Sequence, residues 1–106
     1  MGIISNKEIN DYLEQKKVPH ANRGYMDLLV GIRAMLDGKV DRYQMQSVYD
    51  YVASKRGVTS ENVSRSMRKA IRLSDDCLPN REFMSKAVDE LLFSADKNHD
   101  PFEPTA

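Results

Sequence analysis

The chain has 106 residues, 41% of them hydrophobic, which supplies one core and leaves no length for a second domain. Its 16 lysines and arginines balance 16 aspartates and glutamates, so the total charge favours no class of partner, and a lone cysteine, Cys77, excludes an internal disulfide framework. No apolar run of about 18 residues exists and the N-terminus lacks a basic or apolar leader, so a cytoplasmic protein without a membrane span is expected.

The periodicity is helical nearly throughout, with no alternating β-branched run, and it predicts an all-α domain of five helices over 1–94 followed by a flexible polar tail, 95–106. Ser5 and Glu8 form a capping box, with Ile4 and Ile9 placed as a hydrophobic staple, so a first helix runs from Asn6 to Lys17 and stops at Pro19. Tyr25, Leu28, Leu29, Ile32, Met35 and Leu36 recur at three- and four-residue spacing and define a second helix ending near Gly38. Asp41 is placed to cap a third helix through Met45, Val48, Tyr49, Val52 and Ala53, which Gly57 ends by taking a left-handed conformation. A fourth helix follows from Ser60 to Leu73, with Val63, Met67, Ala70, Ile71 and Ser74 inward. Pro79 and Asn80 cap a fifth, which carries Phe83, Met84, Ala87, Val88, Leu91 and Leu92 inward.

Charge becomes informative by segment. Residues 1–53 carry seven groups of each sign, whereas residues 54–72 carry six cations against Glu61 alone. Residues 73–106 reverse this, with three cations against eight acids. A neutral total therefore hides a basic block, the electrostatic footprint of a nucleic-acid partner.

That block coincides with a recognisable spacing. Ala53, Gly57 and Val63 stand as the small, turn and anchoring residues of a helix-turn-helix, although Arg56 and Ser66 occupy positions often apolar. At about 100° per residue, Glu61, Asn62, Arg65, Arg68, Lys69 and Arg72 fall opposite the inward arc of the fourth helix. Arg65 and Arg68 suit bidentate bonds to guanine, and Asn62 suits adenine or a phosphate. Lys55, Lys69 and Arg72 suit positioning on the backbone, the amides at the start of the helix by Thr59 and Ser60 suit a phosphate oxygen, and Ser64 stands on or beside the reading face. Solvated, salt-bridged helix is the plain alternative, but Glu61–Arg65 is the lone opposite pair at i,i+4 on this face.

Other chemistry fails on inspection. His20, His99 and Cys77 are too few for a structural zinc site, so no metal and no cofactor is expected. Asp96, Asn98 and Asp100 copy the start of a calcium loop, but Pro101 replaces its turn glycine and no bidentate glutamate follows. Cys77 is a nucleophile with no base in sight, no glycine-rich phosphate loop exists, and no paired catalytic constellation suggests an enzyme.

Val18-Pro19, Gly24-Tyr25, Leu28, Ile32, Ala53, Val63, Arg65, Arg68, Ala70, Ile71, Asn80, Glu82, Phe83, Asp89 and Leu91 occur in an order that resembles the C-terminal effector domain of the sporulation initiation response regulator family, stage-zero sporulation protein A, over about Ile9 to Leu92. The resemblance implies a winged-helix-like, all-helical domain without strands that binds duplex DNA as a transcription regulator and contacts the sigma subunit of RNA polymerase. By position it assigns Arg65 and Arg68 to DNA, with Lys69 as a further polar contact. Asn62 and Ser64 replace charged family residues, the link Ser74 to Leu78 is shorter than the family's, and neither a preceding receiver domain nor the family's phosphorylation switch is expected. Useful affinity from so small a module calls for a homodimer on adjacent half-sites. A protein-interaction module that never touches DNA is the competing expectation, motivated by the zero net charge and the acidic last third.

Overall fold

The computed structural model describes residues 4–96, which form five helices: α1 (Asn6–Gln15), α2 (Arg23–Leu36), α3 (Met45–Arg56), α4 (Ser60–Arg72) and α5 (Asn80–Asp96). Residues 97–106, with the histidine at 99 and the tail positions 98 and 100 of the calcium-like spacing, lie outside the described residues. The expected all-α class holds, and α5 extends two residues past the boundary placed at Ser94. Among the described residues no helix is long and apolar enough to cross a membrane.

Helix α2 is the axis of the molecule. It packs against each of the other four helices, most extensively against α4. Leu28 and Ile32 are fully buried at its centre, and Val48, Val52, Val63, Met67, Ile71, Phe83 and Met84 close around them. One residue sets how near α4 can come. A Cβ built on Gly24 would lie 2.1 Å from the Ser66 carbonyl oxygen and 2.7 Å from the Ala70 Cβ, so the two backbones cross in near contact where only glycine fits.

Local signals account for most helix ends. Ser5 accepts from the Glu8 amide while the Glu8 carboxylate accepts from the Ser5 amide, completing the expected box. Gly57 ends α3 at φ 71°, with its amide and that of Val58 both donating to the Ala53 carbonyl. Helix α1 ends earlier than expected, at Gln15, because Lys17 turns left-handed (φ 62°) and lets the Val18 amide donate to the Leu13 carbonyl at 3.0 Å.

Two capping expectations need correction. Asp41 does not cap α3, whose N-cap is Gln44 without a side-chain bond; its carboxylate instead accepts from the Tyr43 amide at 2.9 Å and shapes the preceding turn. Asn80 turns its amide inward rather than over the start of α5: Nδ2 donates to the Tyr49 hydroxyl at 3.1 Å and to the Ser64 carbonyl at 3.0 Å. It is buried and ties α3, α4 and α5 together, while Pro79 supplies the carbonyl that receives the Phe83 amide.

Candidate nucleic-acid interface

Helix α4 begins where the Thr59 hydroxyl accepts from the Asn62 amide at 3.1 Å, satisfying one of the free donors of the first turn. Its inward row, Val63, Met67, Ala70 and Ile71, is fully buried against α2 and α3. This fixes the rotation of the helix about its own axis. Asn62, Arg65, Arg68, Lys69 and Arg72 consequently all stand exposed on the opposite side, and nothing among the described residues covers them.

Their electrostatic state differs. Arg65 bonds Glu61 at 2.8 Å, with both side chains mostly in water (67% and 79% exposed). A surface pair of that kind is worth about 0–1 kcal/mol and yields readily to a stronger anion. Arg68, Lys69 and Arg72 have no carboxylate partner among the described residues. Ser64 is half-buried on the flank, with its carbonyl held by Asn80, so it lies off the outward face. The Ser60 hydroxyl donates to the Asp50 carboxylate, and this bond, followed by one from Gln46, holds the Asp50 carboxyl below its ordinary range. Asp50 and Glu61 thus place negative charge at the start of α4, which disfavours a phosphate on its first amides. Lys55 is exposed at the end of α3, its ammonium 5.4 Å from the Tyr51 ring centre.

Two hollows border α4. One, of about 290 Å³, lies between α2, the end of α3 and α4, and brings Arg23 and Arg56 beside Asn62, Arg65 and Lys69. At its base sits Asp27, 3% exposed, whose Oδ1 accepts from the Arg56 Nε at 2.8 Å. Burial pushes the Asp27 carboxyl up, and the Arg56 guanidinium opposes that shift by favouring the charged form. The pair explains why an arginine stands at a position expected to be apolar: it folds back onto α2 and pins the α3–α4 corner. The other hollow, of about 580 Å³, lies between α3, α4 and the start of α5, and brings Arg81 beside Arg68 and Arg72 with no carboxylate in its lining.

Sequence patterning missed Arg23, Asp27 and Arg81, since each joins the site from another helix. A signal did exist: Arg23 and Arg81 are cations in the first turns of α2 and α5, where the helix dipole disfavours positive charge. Far from α4, a hollow between α1 and α5 is lined by Tyr12, Leu91 and Phe93 and rimmed by Glu8, Asp11, Asp89 and Glu90. Burial, followed by the charge of Glu90, drives the Tyr12 hydroxyl upward in pKa, so it stays neutral there. Among the described residues no group of three or more histidine, cysteine or acidic side chains is arranged to hold a metal ion. The chain matches no protein-family model, no curated protein and no solved structure.

Proposed function

We propose that this protein is a cytoplasmic, sequence-specific regulator of transcription that binds duplex DNA, with α3 and α4 acting as a helix-turn-helix and α4 entering the major groove. One observation carries this reading: the outward face of α4 presents Arg65, Arg68, Lys69 and Arg72 together, exposed, with one weak ion pair among them. An ordinary solvated helix interleaves both signs along its face, and this face does not. Arg65 and Arg68 are the base-reading pair; Lys69, Arg72 and Lys55 position the helix on the backbone. Ser60 and Thr59 shape the start of the helix, and Ser64 contributes through its packing rather than by reaching a base. Binding as a homodimer on adjacent half-sites supplies the affinity that one module lacks.

Selection of bound duplexes from a random pool tests the reading. On the selected site Arg65→Ala is expected to cost about 1–3 kcal/mol and relax one base position, while Lys55→Ala weakens binding to all sequences alike. Equal losses on selected and random duplexes for both variants would remove the assigned roles.

The competing reading is a protein-interaction module, and it rests on the α1–α5 hollow, beside which Leu92 and Phe93 are large, exposed and apolar. A partner such as the sigma subunit of RNA polymerase would dock there. Salt titration separates the two readings, because DNA binding falls with a slope of about −0.9 per phosphate neutralised, whereas a module of this second kind retains no duplex even at low salt.

A further inference from the structure

The placement of paired and unpaired cations extends the interface beyond α4. Of the fifteen lysines and arginines among the described residues, seven sit in ion pairs and eight do not. Five of those eight, Arg23, Arg68, Lys69, Arg72 and Arg81, line the two hollows that flank α4. Elsewhere the fold neutralises its cations efficiently: Lys16 and Lys86 share Asp76, and Arg42 reaches Asp89 across 47 residues of sequence. Three arginines around one hollow with no carboxylate repel one another in the free protein, and an anion seated among them relieves that repulsion. Arg23 and Arg81 also work against the dipoles of their own helices. Local rules broken at two corresponding places, one on each side of α4, indicate a shared demand from outside the fold.

Dimensions supply that demand. A helix with its side chains is about 10–12 Å across and the major groove is about 12 Å wide, so residues standing just beyond either flank of an inserted helix meet the two bordering sugar–phosphate backbones. We propose that Arg23 and Arg81 hold phosphates of opposite DNA strands, one on each side of α4, making the duplex-binding surface a platform of three helices. The inference rests on the DNA-binding reading above and adds to it two residues that lie outside the α3–α4 segment.

The experiment uses the full chain and two fluorescein-labelled duplexes, the selected site and a random sequence of equal length. Arg23→Ala and Arg81→Ala are each compared with Lys39→Ala, which removes an exposed, unpaired cation lining neither hollow. Each arginine variant should lower the steepness of log affinity against log salt by about 0.9 on both duplexes, while Lys39→Ala leaves it unchanged. Methylphosphonate substitution, one phosphate at a time, should locate a sensitive phosphate lost in Arg23→Ala on one strand and another lost in Arg81→Ala on the complementary strand. Matching far-UV circular dichroism and thermal midpoints check that the variants fold; Arg23→Gln and Arg81→Gln replace any that do not. Unchanged salt slopes in both arginine variants, loss equal to that of Lys39→Ala, or both sensitive phosphates on one strand would overturn the straddle and leave the DNA-binding reading intact. No binding of either duplex by the wild-type chain would overturn both.

Discussion

Replacing Gly24 by alanine adds one methyl group at the point where α2 and α4 come closest, and its effect follows from what that methyl meets. Its carbon would lie 2.1 Å from the Ser66 carbonyl oxygen and 2.8 Å from the carbonyl carbon. Ordinary contact begins near 3.4 Å. Both obstacles are backbone atoms in the middle of α4, so the helices must separate by more than 1 Å, which loosens the rest of the buried α2–α4 contact as well. Inserting a methylene into a packed core typically costs about 1–3 kcal/mol, and an unyielding backbone obstacle belongs at the upper end. Alanine recovers up to about 1 kcal/mol through its better helix propensity, which leaves a net loss of about 2 kcal/mol. For a domain near 100 residues each kcal/mol lowers the thermal midpoint by about 4–8 °C, so a drop of about 8–16 °C is expected by circular dichroism. Gly31→Ala provides the internal comparison. There the new methyl meets the ends of two methionine side chains, Met84 Cε at 2.5 Å and Met67 Cε at 3.2 Å, which can swing aside. It should stay within about 1 kcal/mol of wild type, since the propensity gain offsets the repacking. If Gly24→Ala proved as stable as the wild type, or less harmful than Gly31→Ala, the close α2–α4 crossing would be wrong.

Asn80→Ala removes both bonds that join α5 to Tyr49 and Ser64 and leaves the Ser64 carbonyl without that partner; a loss of about 1–3 kcal/mol in urea unfolding is expected, with Asn80→Asp no better because a carboxylate cannot donate to that carbonyl. Gly57→Ala should cost about 1–2 kcal/mol despite open space around it, because the penalty is the left-handed backbone at φ 71°; Gly57→Asn, which tolerates that region, should cost less. Acid should expose the role of Asp76, whose carboxyl is held below its ordinary range chiefly by the bond from Lys86, with Lys16 adding to it. A lowered folded-state pKa contributes stability that is present above the unfolded value of 3.8 and is lost as pH falls through the folded value, so Asp76→Asn should flatten the acid side of the stability–pH curve. An unchanged acid limb in that variant would assign the loss to other carboxylates.

How much of this was legible in one dimension depends on the range of the interaction concerned. A helix reports its buried side every three to four residues, so the five helices, the inward row Val63, Met67, Ala70 and Ile71, and the basic outward face of α4 were all readable from spacing. The Ser5–Glu8 box and the left-handed Gly57 were readable for the same reason, since each is settled within four residues. Asp41 and Asn80 misled because a short polar side chain before a helix has local and distant partners to choose between. Tertiary packing gave Asn80 to Tyr49 and Ser64, and turn geometry gave Asp41 to Tyr43.

By itself, then, the sequence determined the five helices and, apart from Leu92, which was expected inward on α5 and is 46% exposed, which side of each turns inward, because both are set by neighbours a few positions apart. Only the tertiary structure decided that Arg56 closes on Asp27, that Gly24 admits α4 against α2, and that Arg23 and Arg81 arrive on the two flanks of α4. These are consequences of the angles and distances at which helices cross, and a crossing depends on the shapes of both surfaces, which lie tens of residues apart along the chain.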